Sequence, residues 1–197
     1  ELVQTSLANQ RTQEELKIAS QVQDSLIPKN LPTDNWFEIS SHSLAAKEVG
    51  GDFYDFLHLP GRRLAVIIGD VSGKGVAAAL LMSNFQAGLR TLLRQGADLA
   101  VIAHELNHLI FRNAGGEKFI TAFLGIYDRR DRRLRFVNAG HNDPILLPDQ
   151  GPPQFLKTGS VMLGIIEELP QLQVGEVVVP PRSLLFTYTD GLTEVFD

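Results

Sequence analysis

Leu64-Ala65-Val66-Ile67-Ile68-Gly69-Asp70-Val71-Ser72-Gly73-Lys74-Gly75 runs from an apolar stretch through a glycine-marked bend into the helical pattern that opens with Val76-Ala77-Ala78-Ala79-Leu80. The apolar run Leu64–Ile68 reads as a buried strand, and Gly75 to Gln95, with glycine at both ends, reads as a helix. A second helix is predicted from Asp98, a plausible cap, to Asn113. Leu99, Ile102, Leu106, Leu109 and Ile110 lie on one of its faces, and Gly115-Gly116 stops it. Around this helical pair stand strand-like runs. Phe37–Ser43, Phe53–Leu59 and Leu64–Ile68 precede it; Phe119–Tyr127, Leu134–Val137, Ile145–Leu147, Gln173–Val179 and Leu184–Tyr188 follow. Strands, a helical pair and strands again predict an α+β layered sandwich rather than a βαβ parallel sheet. Phe119–Tyr127 is apolar on both faces, as for a strand in the middle of such layers.

Working outward, Glu1 to Leu26 has no proline or glycine and reads as a helix that Pro28 and Pro32 end. Leu2, Leu16, Ala19, Val22 or Gln23, and Leu26 recur near heptad spacing. Thr5, Asn9 and Thr12 interrupt that seam, so any coiled coil is weak. Residues 1–27 are thus a linker helix, either packed on its own domain or pairing two chains, with Ile18 to Leu26 expected to pack on the domain. Residues 28–197 form the domain proper.

The 197 residues fit one domain with room for a sizeable core, and 44% apolar content is ordinary for a globular chain. No uninterrupted apolar run approaches the roughly eighteen residues of a membrane span. The absence of cysteine excludes disulfides and thiolate chemistry and agrees with a cytoplasmic location. A net charge of -5 argues against nonspecific nucleic-acid binding. The basic cluster Arg129-Arg130-Asp131-Arg132-Arg133 sits between two strand-like runs and suits a solvated hairpin tip, or else a docking patch for an acidic partner.

Three aspartates carry the chemistry. Asp70 and Asp190 follow apolar runs, and Asp52, in Gly50-Gly51-Asp52-Phe53-Tyr54-Asp55, precedes one. Carboxylates at the rims of buried strands are rigid yet reach solvent, and their convergence requires a cation between them. Hard divalent ions, Mg²⁺ or Mn²⁺, prefer such oxygen donors, which points to metal-assisted phosphate chemistry. A nucleotide-binding P-loop is disfavoured. Three residues, not four, separate Gly69 from Gly73, and Gly75 stands where Ser or Thr is needed.

Gly50–Asp55, Gly69–Ala78, Asn138-Ala139-Gly140-His141-Asn142-Asp143-Pro144 and Thr189-Asp190-Gly191-Leu192-Thr193-Glu194 stand in that order. With them the chain resembles the bacterial SpoIIE/RsbU-type serine/threonine phosphatases, a branch of the metal-dependent (type 2C) protein phosphatases, from about Glu15 onward. The resemblance implies a four-layer α-β-β-α sandwich of two antiparallel sheets flanked by helices, preceded by the linker helix, and two Mn²⁺ or Mg²⁺ ions in a cleft. By motif, Asp70 would bridge both ions, Asp52 and the Val71 carbonyl would bind one, and Asp190 the other. Asp55 is expected to make a structural hydrogen bond instead. The family's further metal-binding aspartate, on a carboxy-terminal segment, has no counterpart up to Asp197.

A hydroxide between the two cations would attack phosphorus without a side-chain base. His141, the only one of five histidines in a motif, would serve as general acid or stabilise a bend by a hydrogen bond. Lys74 and Lys47 could contact phosphate or simply be solvated. The implied substrate is phosphoserine or phosphothreonine on a small regulatory protein, typically an anti-sigma-factor antagonist of the STAS type. An upstream sensor or receiver domain and a homodimer through the linker helix are also implied. The competing functions are a phosphatase-like module that binds without turnover and a two-metal phosphoesterase acting on nucleotides or nucleic acid; acidity and motifs disfavour the latter.

Overall fold

A computed structural model describes residues 2–43 and 49–193. Helix α1 (Leu2–Leu26) leads to strands β1 (Phe53–Leu59) and β2 (Arg63–Val71) and helices α2 (Val76–Gln95) and α3 (Leu99–Ala114). Strands β3 (Ile120–Asp128), β4 (Arg133–Ala139), β5 (Ile145–Pro148), β6 (Gln154–Phe155), β7 (Gly159–Ser160), β8 (Gly175–Val178) and β9 (Ser183–Phe186) follow, and a 3₁₀ turn spans Asp190–Leu192. One sheet runs β1-β2-β3-β4-β7, with β8 also on β4; a second runs β6-β5-β9. The fold is therefore α+β, as predicted.

Period-two alternation sorts side chains between two cores. Ala65, Ile67 and Val71 of β2, with Ile120, Ala122 and Leu124 of β3, face Met82, Phe85 and Leu89 of α2 and Ile102, Leu106 and Ile110 of α3. On the opposite face Ile68, Phe123, Leu134 and Phe136 meet Leu146 and the half-buried Leu185 of the second sheet, and Leu156 just after β6. The central strands are buried on both sides, which is why Phe119–Tyr127 shows no polar face. By length and mean hydropathy (1.2) α2 could cross a membrane, but its apolar stripe is the core face just described. Truncating fully buried Phe85 to Ala would cost about 3–5 kcal/mol. Asp98 caps α3 by accepting from the Val101 amide at 2.9 Å, as predicted.

Three expectations need correction. The run Phe37–Ser43 forms no strand, only an isolated bridge between Asp34 and Phe37. Trp36 packs on Phe37 and Tyr127 and Phe37 on His58, while Glu38, Ser40, His42 and Ser43 are exposed, so aromatic contacts rather than a ladder hold the segment. The first sheet is mixed, because β7 lies parallel to β4. Ile18 and Val22 are 60% and 57% exposed; α1 reaches the domain through Gln23 and Leu26 instead. Among the described residues the helices α2 and α3 cover the first sheet alone, and Phe155, Leu184 and Phe186 of the second remain exposed. Arg129 to Arg132 form the β3–β4 turn, as a hairpin tip should.

Candidate metal centre

The strand ends place the acidic groups. Asp70 is the penultimate residue of β2, opposite Thr121 of β3; Asp52 immediately precedes β1; Asp190 opens the 3₁₀ turn after β9. All three line one open cleft of about 1350 Å³, together with Thr121, Lys74 and Asn142. Asp70 and Asp52 are half-buried, whereas Asp190 sits exposed at the outer rim.

Burial pushes the Asp70 carboxyl up from 3.8 to about 7, reinforced by the charge and proximity of Asp52 and by Asp190; the Val71 backbone opposes the rise. Like charges gathered without an answering cation are the electrostatic mark of a cation site. Gly51 supplies the geometric mark. A Cβ there would lie 2.4 Å from the Val71 carbonyl oxygen and 2.7 Å from Asp70 Oδ1, so only bare backbone leaves these oxygens open beside Asp52. The donor set is entirely oxygen, which fits Mg²⁺ or Mn²⁺. Among the described residues no three Asp, Glu or His side chains close tightly on one point. The carboxylates instead stand around the cleft, with Asp190 at its exposed rim.

Neighbouring groups hold this arrangement. Thr189 Oγ1 donates to Asp52 Oδ2 at 3.0 Å, joining two cleft walls that are 137 residues apart. Gln23 of α1 donates to the Gly50 carbonyl at 2.6 Å and accepts from its amide at 3.0 Å, so the helix grips the residue two before Asp52. His141 is buried, with Nδ1 3.0 Å from Thr121 Oγ1 and its amide donating to Asn138 Oδ1 at 2.8 Å. Its Nε2 has no hydrogen-bond partner of good geometry. Burial lowers the His141 pKa against the opposing pull of the Tyr188 backbone, Asp52 and Asp190. The ring therefore lies behind the cleft wall, where it braces the strand residue opposite Asp70.

Asp55 has the structural role expected of it. Arg90 donates to both its oxygens at 2.6 and 3.1 Å, Gln86 to Oδ2 at 3.3 Å and the Phe56 amide to Oδ1 at 3.0 Å. Gln86 also donates to the Leu26 carbonyl at 2.9 Å, tying the end of α1 to the same network. Lys74 is exposed on the cleft, and Lys47 lies outside the described residues. Thr121, Thr189 and Gln23 carried no assigned role in the sequence. The one polar side chain on the cleft end of an apolar strand, the threonine preceding Asp190, and a glutamine on a heptad seam were the signals that could have found them.

Comparison with known proteins places this geometry. The SiaA-PP2C domain of Pseudomonas aeruginosa shares the fold with a TM-score of 0.76 at 23% identity, over 93% of this chain and 74% of that one. The RsbU and RsbW domains of Rv1364c from Mycobacterium tuberculosis match with a TM-score of 0.66 at 30% identity, over 76% and 41%.

 RsbX, solved in complex with magnesium, matches with a TM-score of 0.59 at 15% identity, over 70% of this chain and 65% of that one. In sequence, the phosphoserine phosphatase RsbU of Bacillus subtilis is 28% identical over 187 residues, which cover 94% of this chain and 55% of RsbU. The chain thus spans about half the length of that relative. The fold is that of a PP2C-type phosphatase domain. Within that class, the chain belongs to the Stage II sporulation protein E (SpoIIE) family, whose model matches residues 60–197.

Proposed function

We propose that the chain is the catalytic domain of a metal-dependent protein serine/threonine phosphatase that hydrolyses phosphoserine or phosphothreonine on a regulatory protein. The observation that carries this is the cleft itself, which Asp52, Asp70 and Asp190 all line without an ion pair among the described residues, and where the Asp70 carboxyl is pushed up to about 7. Two Mn²⁺ or Mg²⁺ ions would be held there, with Asp70 between them, Asp52 and the Val71 carbonyl on one and Asp190 on the other. When bound, such ions supply a water that is nucleophilic at neutral pH and offset the charge of the phosphoryl group.

The chain's own residues set the positions. Thr189 orients Asp52, Gly51 keeps the Val71 carbonyl and Asp70 Oδ1 uncovered, and the β2–β3 ladder fixes Asp70 against Thr121. His141 braces Thr121 from behind the cleft wall, which favours the bend-stabilising role over that of general acid. The finer architecture we propose is the four-layer α-β-β-α sandwich. It is supported by two cores that already stack helices, first sheet and second sheet.

Residues 1–27 act as a linker helix for an upstream sensor or receiver domain, and residues 28–197 as the phosphatase domain of a cytoplasmic protein. The exposed Ile18 and Val22 support pairing of two chains through that helix. The substrate class is a phosphorylated STAS-type anti-sigma-factor antagonist, in keeping with the similarity to RsbU. One observation favours a second function, a phosphatase-like module that binds without turnover: the carboxylates do not close tightly on a single point. Mn²⁺-dependent release of phosphate from a phosphoserine protein separates the two. Release by the chain, abolished in Asp70→Asn, is expected; binding of the phosphoprotein without release would establish the module instead.

A further inference from the structure

Lys118 belongs to none of the sequence motifs, yet its ammonium reaches Gly73, a residue that lines the cleft. It lies two residues before β3, and its side chain crosses the loop between β2 and α2. A Cβ built on Gly73 would lie 2.4 Å from Lys118 Nζ and 3.6 Å from its Cε, so the ammonium occupies the notch that the missing side chain leaves. Gly73, at φ 92, lines the same cleft as Asp70. Two hydrogen bonds fix this juxtaposition: the Ser72 amide donates to the Phe119 carbonyl at 2.9 Å, and the Phe119 amide donates to Ser72 Oγ at 2.9 Å.

Among the described residues Lys118 forms no ion pair, although three carboxylates surround the cleft beside it. Lys74 is exposed, whereas Lys118 is half-buried and laid along backbone. A half-buried long side chain loses less freedom on meeting a ligand than a solvated one.

We propose that Lys118 is a substrate-positioning residue whose ammonium receives the phosphoryl oxygens of the incoming phosphomonoester over Gly73. The inference rests on the phosphatase function proposed above. It follows from charge: a phosphate dianion entering a cleft walled by carboxylates is favoured by a positive group on its approach side, and Lys118, half-buried over Gly73, supplies one. The same ammonium would also suit a carboxylate flanking the phosphorylated residue, so the two sources of anion must be told apart.

The test compares the chain with Lys118→Met and Lys118→Arg, each checked for an unchanged melting temperature. Hydrolysis of p-nitrophenyl phosphate, which has no flanking carboxylate, and of a phosphoserine peptide with acidic neighbours is measured with Mn²⁺. In parallel, binding of inorganic phosphate to the Mg²⁺-loaded chain is followed by phosphorus NMR, a readout that needs no turnover. In Lys118→Met, KM for both substrates and Kd for phosphate should rise about tenfold with kcat little changed, and Arg should restore most of the loss. An unchanged Kd for phosphate with unchanged KM overturns the proposal. A rise in KM for the acidic peptide alone also overturns it, assigning Lys118 to flanking carboxylates. If the parent chain releases no phosphate from either substrate, the phosphatase function fails, while the phosphate titration still decides Lys118.

Discussion

Asp55 and Asp70 stand on neighbouring strands, and the molecule treats them in opposite ways. Asp55 is fully buried, and Arg90, Gln86 and a backbone amide answer its charge. Asp70 is half-buried and faces two further carboxylates. The Asp55 carboxylate in turn raises the Arg90 pKa, chiefly through their hydrogen bonds. A buried charge with a partner holds structure together, and one denied a partner marks a place reserved for something that is not protein.

Substitutions that break this contrast should separate activity from stability. Asp70→Asn is expected to lower Mn²⁺-dependent turnover by about two to three orders of magnitude without lowering the melting temperature of the metal-free chain, since it removes repulsion. Steady-state rates and thermal unfolding on the same preparation check both halves. Asp55→Ala should do the reverse. It leaves Arg90 unanswered, costing about 3–5 kcal/mol in urea unfolding, with turnover per folded molecule nearly intact.

Thr189→Val removes the hydrogen bond to Asp52 and should weaken Mn²⁺ binding about tenfold, as read by calorimetry. The pH dependence is the gentlest probe. Because the Asp70 pKa is raised from 3.8 to about 7 in the folded chain, its contribution to stability is fully present below 3.8 and lost as pH rises through about 7. Metal binding has the opposite sign, since it requires the carboxylate, and should weaken as pH falls below about 7 with uptake of a proton.

Much of this was legible in the sequence because local and global signals agreed. The passage from β2 into α2, the Asp98 cap and the two apolar faces of β3 are written in periods and punctuation that tertiary packing left intact. Asp52, Asp70 and Asp190 were legible because each stands at or near the end of an apolar run and beside a glycine. What escaped depended on distant partners. Strands β6 and β7 are two residues each and exist only through β5 and β4. The Phe37–Ser43 alternation has no ladder to join, and Ile18 and Val22 yield the domain face of α1 to Gln23 because Gly50 offers both a donor and an acceptor. Lys118 depends on a glycine 45 residues earlier, a pairing that no spacing rule reveals.

The central claim, that Asp52, Asp70 and Asp190 share divalent ions, is tested most directly by titrating Mn²⁺ into the chain and into Asp70→Asn, with electron paramagnetic resonance counting the bound ion at a pH where Asp70 is ionised. The account predicts two bound Mn²⁺ per chain, magnetically coupled, with the coupling and most of the binding gone in the variant. Equal Mn²⁺ binding by the two proteins, or none by either, would contradict it.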